Sequence, residues 1–344
     1  MIAASHSPDA EPPVDNRQVQ PRPQQLRLPR SITHQHLASI VNTLLTKQPR
    51  AHVRLLDFGY GNGQLLAYLS DTLPVLQPNT SFELIGLESV DADVQRAGFL
   101  QDTLRFLSEA CPDRDWQRHL TAVSVSQDWP FPADHFDFIV SNQVFEHVSN
   151  YDLVLGEIGR TLTTDGASIN IFPLKERFYE SHVEMPLIHR IQDVDVKRLA
   201  MSLCFALGMR SSFRRELDLR GYSSPAEFID DYSVVLLDQL TYASTEELFR
   251  LAKQNGLCVS FRFTKEFYLA KLASLLGHRV YEYRHANTLL DLLAFRILRR
   301  IDCVTVTFRR LSHRNARSSP DSRPAHASRP KRELFRQPVT ITGV

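Results

Sequence analysis

Residues 55–66 read LLDFGYGNGQLL. Two leucines lead into Asp57 and Phe58, glycine alternates with bulkier residues at 59, 61 and 63, and the pattern turns apolar again. The start of this stretch belongs to VRLLDF (53–58), a short apolar run of the kind a strand covered on both faces shows. GQLLAYLSDTL, after it, reads as a helix. The glycines therefore occupy a strand-to-helix turn. They adopt φ > 0 without steric cost and carry no Cβ, so a ligand can approach the backbone closely. The helix that follows offers free N–H groups at its start.

The same alternation extends outward. SITHQHLASIVNTLLTK (31–47) has apolar spacing near 3.6 and predicts a leading helix. Strands are expected at 82–88 (FELIGLE), 120–125 (LTAVSV), 136–142 (FDFIVSN) and 167–173 (ASINIFP). Helices are expected through 91–110 and at 151–162, with Asp165-Gly166 as a turn. Residues 174–242 break this rhythm and are helix-rich, one helix ending at Gly208 and another capped by Ser224 with Pro225 at its first position. Ser244 and Glu247 cap a further helix, 258–263 and 304–310 read as strands, and helical material fills 266–300. Strands separated by helices predict an α/β chain: a Rossmann-like, seven-stranded, mostly parallel sheet with helices on both faces and a helical lid inserted after strand five. Five segments follow: a disordered N-terminal segment (1–30), a ligand-binding core (31–173), the helical insertion (174–242), completion of the sheet with a helical insert (243–310), and a basic disordered tail (311–344).

Composition sets limits on partners. The 344 residues are 43% hydrophobic and 23% charged, with a net charge of +1, so overall charge points to no partner. Cys111, Cys204, Cys258 and Cys303 lie far apart, in neither a zinc pattern nor a disulfide framework, which suits a reducing cytoplasm. The first 30 residues hold six prolines and no apolar core segment, so no signal peptide is expected. No apolar run approaches the roughly 20 residues of a membrane span. The tail holds seven Arg/Lys against two acids, but no basic-aromatic stripe runs through the folded part, which argues against nucleic acid as partner.

Two cofactor classes use such a glycine turn. A dinucleotide fold places its third glycine at position 64, where this chain has Gln64. The D-x-G-x-G-x-G spacing of Asp57, Gly59, Gly61 and Gly63 resembles instead the class I S-adenosylmethionine-dependent methyltransferases, in their small-molecule branch. Three further segments carry the resemblance: FELIGLE ending at Glu88, DWPFPADHFDFIVSNQVFEHV (128–148), and EIGRTLTTDGASINIFP. It covers about residues 50–175, with an echo at 241–263. It implies that the loop wraps the amino-acid part of S-adenosyl-L-methionine, that Asp57 favours its ammonium, and that Glu88 accepts from the ribose hydroxyls. The family's acid at the end of strand three is absent here; Asp128 stands a few residues late, and Ser126 with Gln127 is the neutral alternative for adenine. Asn142 and Gln143 are expected to shape the wall near the methyl group.

For the acceptor side the candidates are His147, of the Glu146-His147 pair, and His182 in FYESHVEMPLIHRI (178–191). Tyr179, Glu180, Glu184 and His189 crowd the same loop. Imidazole is suited to taking a proton near neutral pH. His182, His189 and Glu180 are metal-ligand types, but their spacing matches no metal motif, and no metal is expected. In the insertion Leu199, Leu203, Phe205, Leu207, Phe228, Val234 and Leu237 read as core-facing stripes. The resemblance implies methyl transfer to an O or N atom of a small-molecule acceptor (a sugar, lipid precursor or secondary metabolite). A macromolecular acceptor, a catalytically silent cofactor-binding scaffold and a dinucleotide oxidoreductase stand as alternatives.

Overall fold

In the computed structural model, residues 31–89, 98–124, 126–284 and 288–311 are described. The chain opens with α1 (Ile32–Lys47), buried over residues 33–45. β1 (His52–Phe58) delivers the glycine turn to α2 (Gln64–Leu76), and β2 (Ser81–Ser89) runs parallel to β1. α3 (Phe99–Ala110) and the single turn α4 (Trp116–His119) precede β3 (Leu120–Val123). β4 (Phe136–Asn142) leads through a 3-10 turn at Phe145–His147 into α5 (Tyr151–Thr161), whose N-terminus is capped by the Asn150 side chain, and then β5 (Leu162–Phe172).

The insertion starts as a two-residue antiparallel ladder, β6 (Tyr179–Glu180) against β7 (Met185–Pro186). Three helices follow: α6 (Val194–Ala206), α7 (Ser211–Arg220) and α8 (Pro225–Asp238), the last capped by Ser224. The sheet then resumes. α9 (Thr245–Gln254) carries the expected capping box of Ser244 and Glu247, and β8 (Leu257–Ser260) follows. α10 (Thr264–Leu275) and α11 (Thr288–Leu298) lead to β9 (Val304–Arg310).

The seven-stranded sheet has the order β3-β2-β1-β4-β5-β9-β8. Only β9 runs against its neighbours. Because the two connections leaving β1 and β4 diverge, strand order reverses between these strands, and a crevice opens at their carboxyl ends. One apolar core joins α1, α2 and α10 to one face, through residues such as Leu37, Leu69 and Phe267. A second core, with Leu155, Leu248 and Phe308, covers the other. The insertion has its own cluster around Met201, Phe205, Phe228 and Tyr232.

Three expectations are corrected. β5 begins at Leu162 rather than at 167. Between the Phe136–Leu162 and Phe138–Ala167 pairings β5 advances five residues while β4 advances two, so Asp165-Gly166 lies in a bulge within the strand. β8 stops at Ser260, and Phe261 and Phe263 turn into the two cores. The stripe on α6 faces outward: Leu199, Leu203 and Leu207 are exposed, as is Val234 on α8, and only Phe205 and Phe228 are buried. The inward row of α6 is Lys197, Met201 and Phe205, at i, i+4 and i+8. The leucines two positions along stand on the opposite face, and a lysine in the inward row disguises it. The expectations for 1–30, for 91–97 and for the tail beyond Leu311 lie outside the described residues.

Candidate active site

The three glycines of the turn have φ of +74°, +51° and +75° at 59, 61 and 63. Their reasons differ. A Cβ on Gly59 would sit 2.4 Å from Val144 Cγ2, and one on Gly63 2.8 Å from Leu107 Cγ. These two glycines let neighbouring side chains close over the turn. A Cβ on Gly61 would meet nothing nearer than its own loop, Gly59 O at 4.0 Å. Gly61 lines a cavity of about 260 Å³, so a side chain there would enter that space.

Glu88 ends β2 beside the loop. Its carboxylate is buried and accepts from Gly61 N at 2.8 Å through Oε2, and from Ser89 N at 3.1 Å through Oε1. Glu88 therefore fixes the loop as well as presenting charge to the cavity, which it lines. The carboxyl ends of β3 and β4 supply the other walls: Val123, Ser124 and Gln127 on one side, Gln143, Val144 and His147 on the other. Gln143 holds φ +57°, which a non-glycine residue rarely adopts.

Asp57 sits just behind this cavity. Both of its carboxylate oxygens are buried with no hydrogen-bond partner. Burial, and then the charge of Glu88, raise its pKa well above the usual carboxylate value. A cation beside it would relieve both effects. Asn142 ends β4 with Oδ1 buried and unpartnered. Asp128 is exposed and does not line the cavity, where Ser124 and Gln127 do. An open backbone cradle at Gly61, a carboxylate within hydrogen-bonding reach of it and an uncompensated acid behind it fit S-adenosylmethionine, with its ribose, its ammonium and its sulfonium.

His147 lines the cavity, and His182 stands behind it. The His147 ring meets that of His182 edge-on, centroids 6.1 Å apart. His147 donates from Nδ1 to Gln239 O at 3.2 Å; partial desolvation and His182 lower its pKa. Glu180 Oε1 accepts from His182 Nδ1 at 2.7 Å and from its backbone N at 3.0 Å. A carboxylate only accepts, so Nδ1 carries a proton, and in the neutral ring the lone pair is on Nε2. Burial works to raise the Glu180 pKa, but the hydrogen bond from His182 and the charge of Arg177 outweigh it and bring the group down to about 2. Arg177 is itself buried, 3.3 Å from Glu180 and stacked over Tyr242 at 5.6 Å.

Around this ion pair lie buried polar atoms with no hydrogen-bond partner: Glu146 Oε2, Lys197 Nζ, and His189 Nδ1, which stands 3.7 Å from Glu180 Oε2. Burial raises the Glu146 pKa to about 7 and lowers that of Lys197 to about 8. The structure thus brings His147, His182, Glu180 and His189 together. It leaves Tyr179 exposed and sends Glu184 to an ion pair with Arg215 at 2.7 Å. Arg177, Lys197 and Tyr242 were missed by sequence reading. The only signal for Lys197 was a cation inside an otherwise apolar i, i+4 row.

A family model described as a methyltransferase domain matches residues 30–201. No curated protein matches the chain. Among solved structures, the chain is similar to the YcgJ protein of Bacillus subtilis, at 14% identity and TM-score 0.41, covering 80% of this chain and 99% of that one. It is also similar to PKMT2 of Rickettsia typhi in complex with AdoHcy, at 15% and 0.46, covering 81% and 53%. A third is phosphoethanolamine N-methyltransferase 2 of Haemonchus contortus in complex with S-adenosyl-L-methionine, at 14% and 0.39, covering 80% and 51%. These likenesses carry no argument about the acceptor.

Proposed function

The chain belongs to the methyltransferase-domain family and is an S-adenosylmethionine-dependent methyltransferase, and from that premise we propose that it methylates an oxygen or nitrogen atom of a small-molecule acceptor. S-adenosylmethionine supplies a methyl group already activated by its sulfonium charge. The protein's part is alignment, exclusion of water and removal of the acceptor's proton. In this reading Gly59, Gly61 and Gly63 carry the cofactor's amino-acid end, Asp57 offsets its ammonium, and Glu88 exchanges its contact with Gly61 for the ribose hydroxyls. Ser124 and Gln127 meet the adenine, a role for which Asp128 is too exposed, and Asn142 with Gln143 walls the methyl side. The insertion acts as a lid over the acceptor.

The observation that carries the proposal is the contact between His147, which lines the cavity, and His182, which Glu180 orients. In this reading Nε2 of His182 takes a proton from a hydroxyl or amine as it is methylated. The buried Glu146 Oε2 and Lys197 Nζ, which have no hydrogen-bond partner, favour a compact polar acceptor whose own groups pair with them. The four cysteines are free and suit a cytoplasmic setting.

The test is mass spectrometry of small molecules that co-purify with the full chain, followed by S-adenosylhomocysteine release when candidates are added back. A small acceptor that supports turnover, and whose turnover falls in His182→Gln, supports the proposal. Turnover only with protein or RNA fractions overturns the small-molecule reading.

A further inference from the structure

Outside the cofactor site, α10 and α11 carry a ridge of exposed aliphatic side chains with no role in the fold. Among the described residues Leu275 and Leu276 are 83% and 76% exposed, and Leu269 and Leu272 join them on α10. On α11 and just past it, Leu289, Leu290, Leu293, Ile297 and Ile301 are exposed as well. On α10 the spacing 269, 272, 276 marks one face, and on α11 the spacing 289, 293, 297, 301 marks another. Lys265 pairs with Asp291 at 2.6 Å, Tyr268 donates to Leu298 O at 3.4 Å and Lys271 pairs with Asp302 at 2.8 Å. These contacts set the two helices side by side and pointing the same way. An apolar surface of this extent marks an interaction site.

We propose that this ridge lies on an anionic membrane surface, its aliphatic side chains among the acyl chains and its arginines at the headgroups. Two observations select a lipid partner. The ridge is built from leucine and isoleucine alone, whereas protein interfaces concentrate aromatic residues and methionine at their centres. Its exposed charge is positive: Arg279, Arg284, Arg296 and Arg300 are exposed against Glu282, while Asp291 and Asp302 are taken up by lysines. Two copies pressed face to face would oppose these arginines, whereas anionic headgroups pair with them. No described helix is long and apolar enough to cross a membrane, so the helices lie in the interface rather than span it. The ridge also abuts the acceptor side: Phe178 N, two residues before Glu180, donates to Arg300 O at 2.8 Å. The proposal stands independently of the acceptor's identity.

The test is flotation of the full chain with vesicles of phosphatidylcholine alone, and of phosphatidylcholine mixed with phosphatidylglycerol. The chain is expected to float with the anionic vesicles and more weakly with neutral ones. The combined variant Leu275→Glu, Leu276→Glu and Leu293→Glu should cut partitioning by about tenfold or more. Its S-adenosylmethionine affinity should be unchanged and its thermal midpoint little altered, because Leu275 and Leu276 are largely exposed and Leu293 about half. Arg296→Gln with Arg300→Gln should remove the preference for anionic vesicles. The proposal is overturned if the wild type does not float, if the leucine variant floats equally well (binding by the basic tail), or if the wild type elutes as a dimer that the leucine variant dissociates.

Discussion

The imidazoles of His147 and His182 meet edge-on, 6.1 Å apart, and that contact joins the cofactor cavity to a buried acid–base cluster. Glu180 holds His182 by Nδ1 at 2.7 Å, and in the proposed mechanism Nε2 of the neutral ring is the base. Glu180→Gln removes the charge that fixes this tautomer, and His182→Gln removes the base itself. Each is expected to lower turnover by about 10²–10⁴-fold, read as S-adenosylhomocysteine release, with cofactor affinity by calorimetry unchanged. Equal losses in cofactor affinity would place His182 in cofactor binding instead.

The glycines should separate by role. Gly59→Ala drives a Cβ against Val144 and adds backbone strain, so it should cost stability by about 2–4 kcal/mol. Gly61→Val carries only the strain of its positive φ, about 1–3 kcal/mol, yet fills the cavity. Thermal unfolding should therefore rank Gly59→Ala as the more damaging, and cofactor titration should find binding abolished in Gly61→Val. The reverse ranking would place the ligand elsewhere.

Asp57 should show a trade of stability for function. Its unpartnered, buried carboxylate has a raised pKa, so in the free protein ionisation opposes folding. Asp57→Asn should stabilise the free protein at neutral pH by about 1–3 kcal/mol and weaken S-adenosylmethionine binding. Glu88→Ala should weaken binding by about 1.5–3 kcal/mol through lost charge-assisted hydrogen bonds. A destabilised Asp57→Asn with intact affinity would mean the acid is structural.

Much of the architecture was legible. The β-branched and aromatic runs of β4 and β9 mark their own ends, and Ser244 with Glu247 announces α9. Three features were hidden for physical reasons. Leu199, Leu203 and Leu207 looked inward because leucine is the common core residue, whereas the true inward row carries Lys197. The bulge in β5 depends on register with β4, which no local pattern encodes. Glu146 reads as a helix-start acid; only burial shows a carboxyl with an unpaired oxygen. The loop glycines were legible because their backbone geometry demands them, and Glu88 because it ends a strand that carries the resemblance, but the partners that orient His182 come from residues 177 to 242, joined only by folding.

Glu146 and Glu180 should oppose each other in pH dependence. Burial raises Glu146 from 4.5 to about 7. Below pH 4.5 both states hold its proton; between 4.5 and 7 the unfolded chain releases it first, so its stabilisation is lost as pH rises. Glu180, down at about 2, contributes above pH 4.5 and loses that contribution as pH falls toward 2. Urea denaturation of Glu146→Gln against wild type should show the variant gaining about 1–3 kcal/mol of relative stability from pH 4.5 to pH 7. An equal difference at both values would mean that Glu146 is ionised in the native protein.

The central claim is that the turn at Gly59–Gly63, with Glu88 beside it, holds S-adenosylmethionine. Calorimetric titration of the chain with S-adenosylmethionine, repeated with Gly61→Val, tests it most directly. One equivalent bound by the wild type and none by the folded variant is the expected result. Unchanged binding in the variant, or none in the wild type, would contradict the claim.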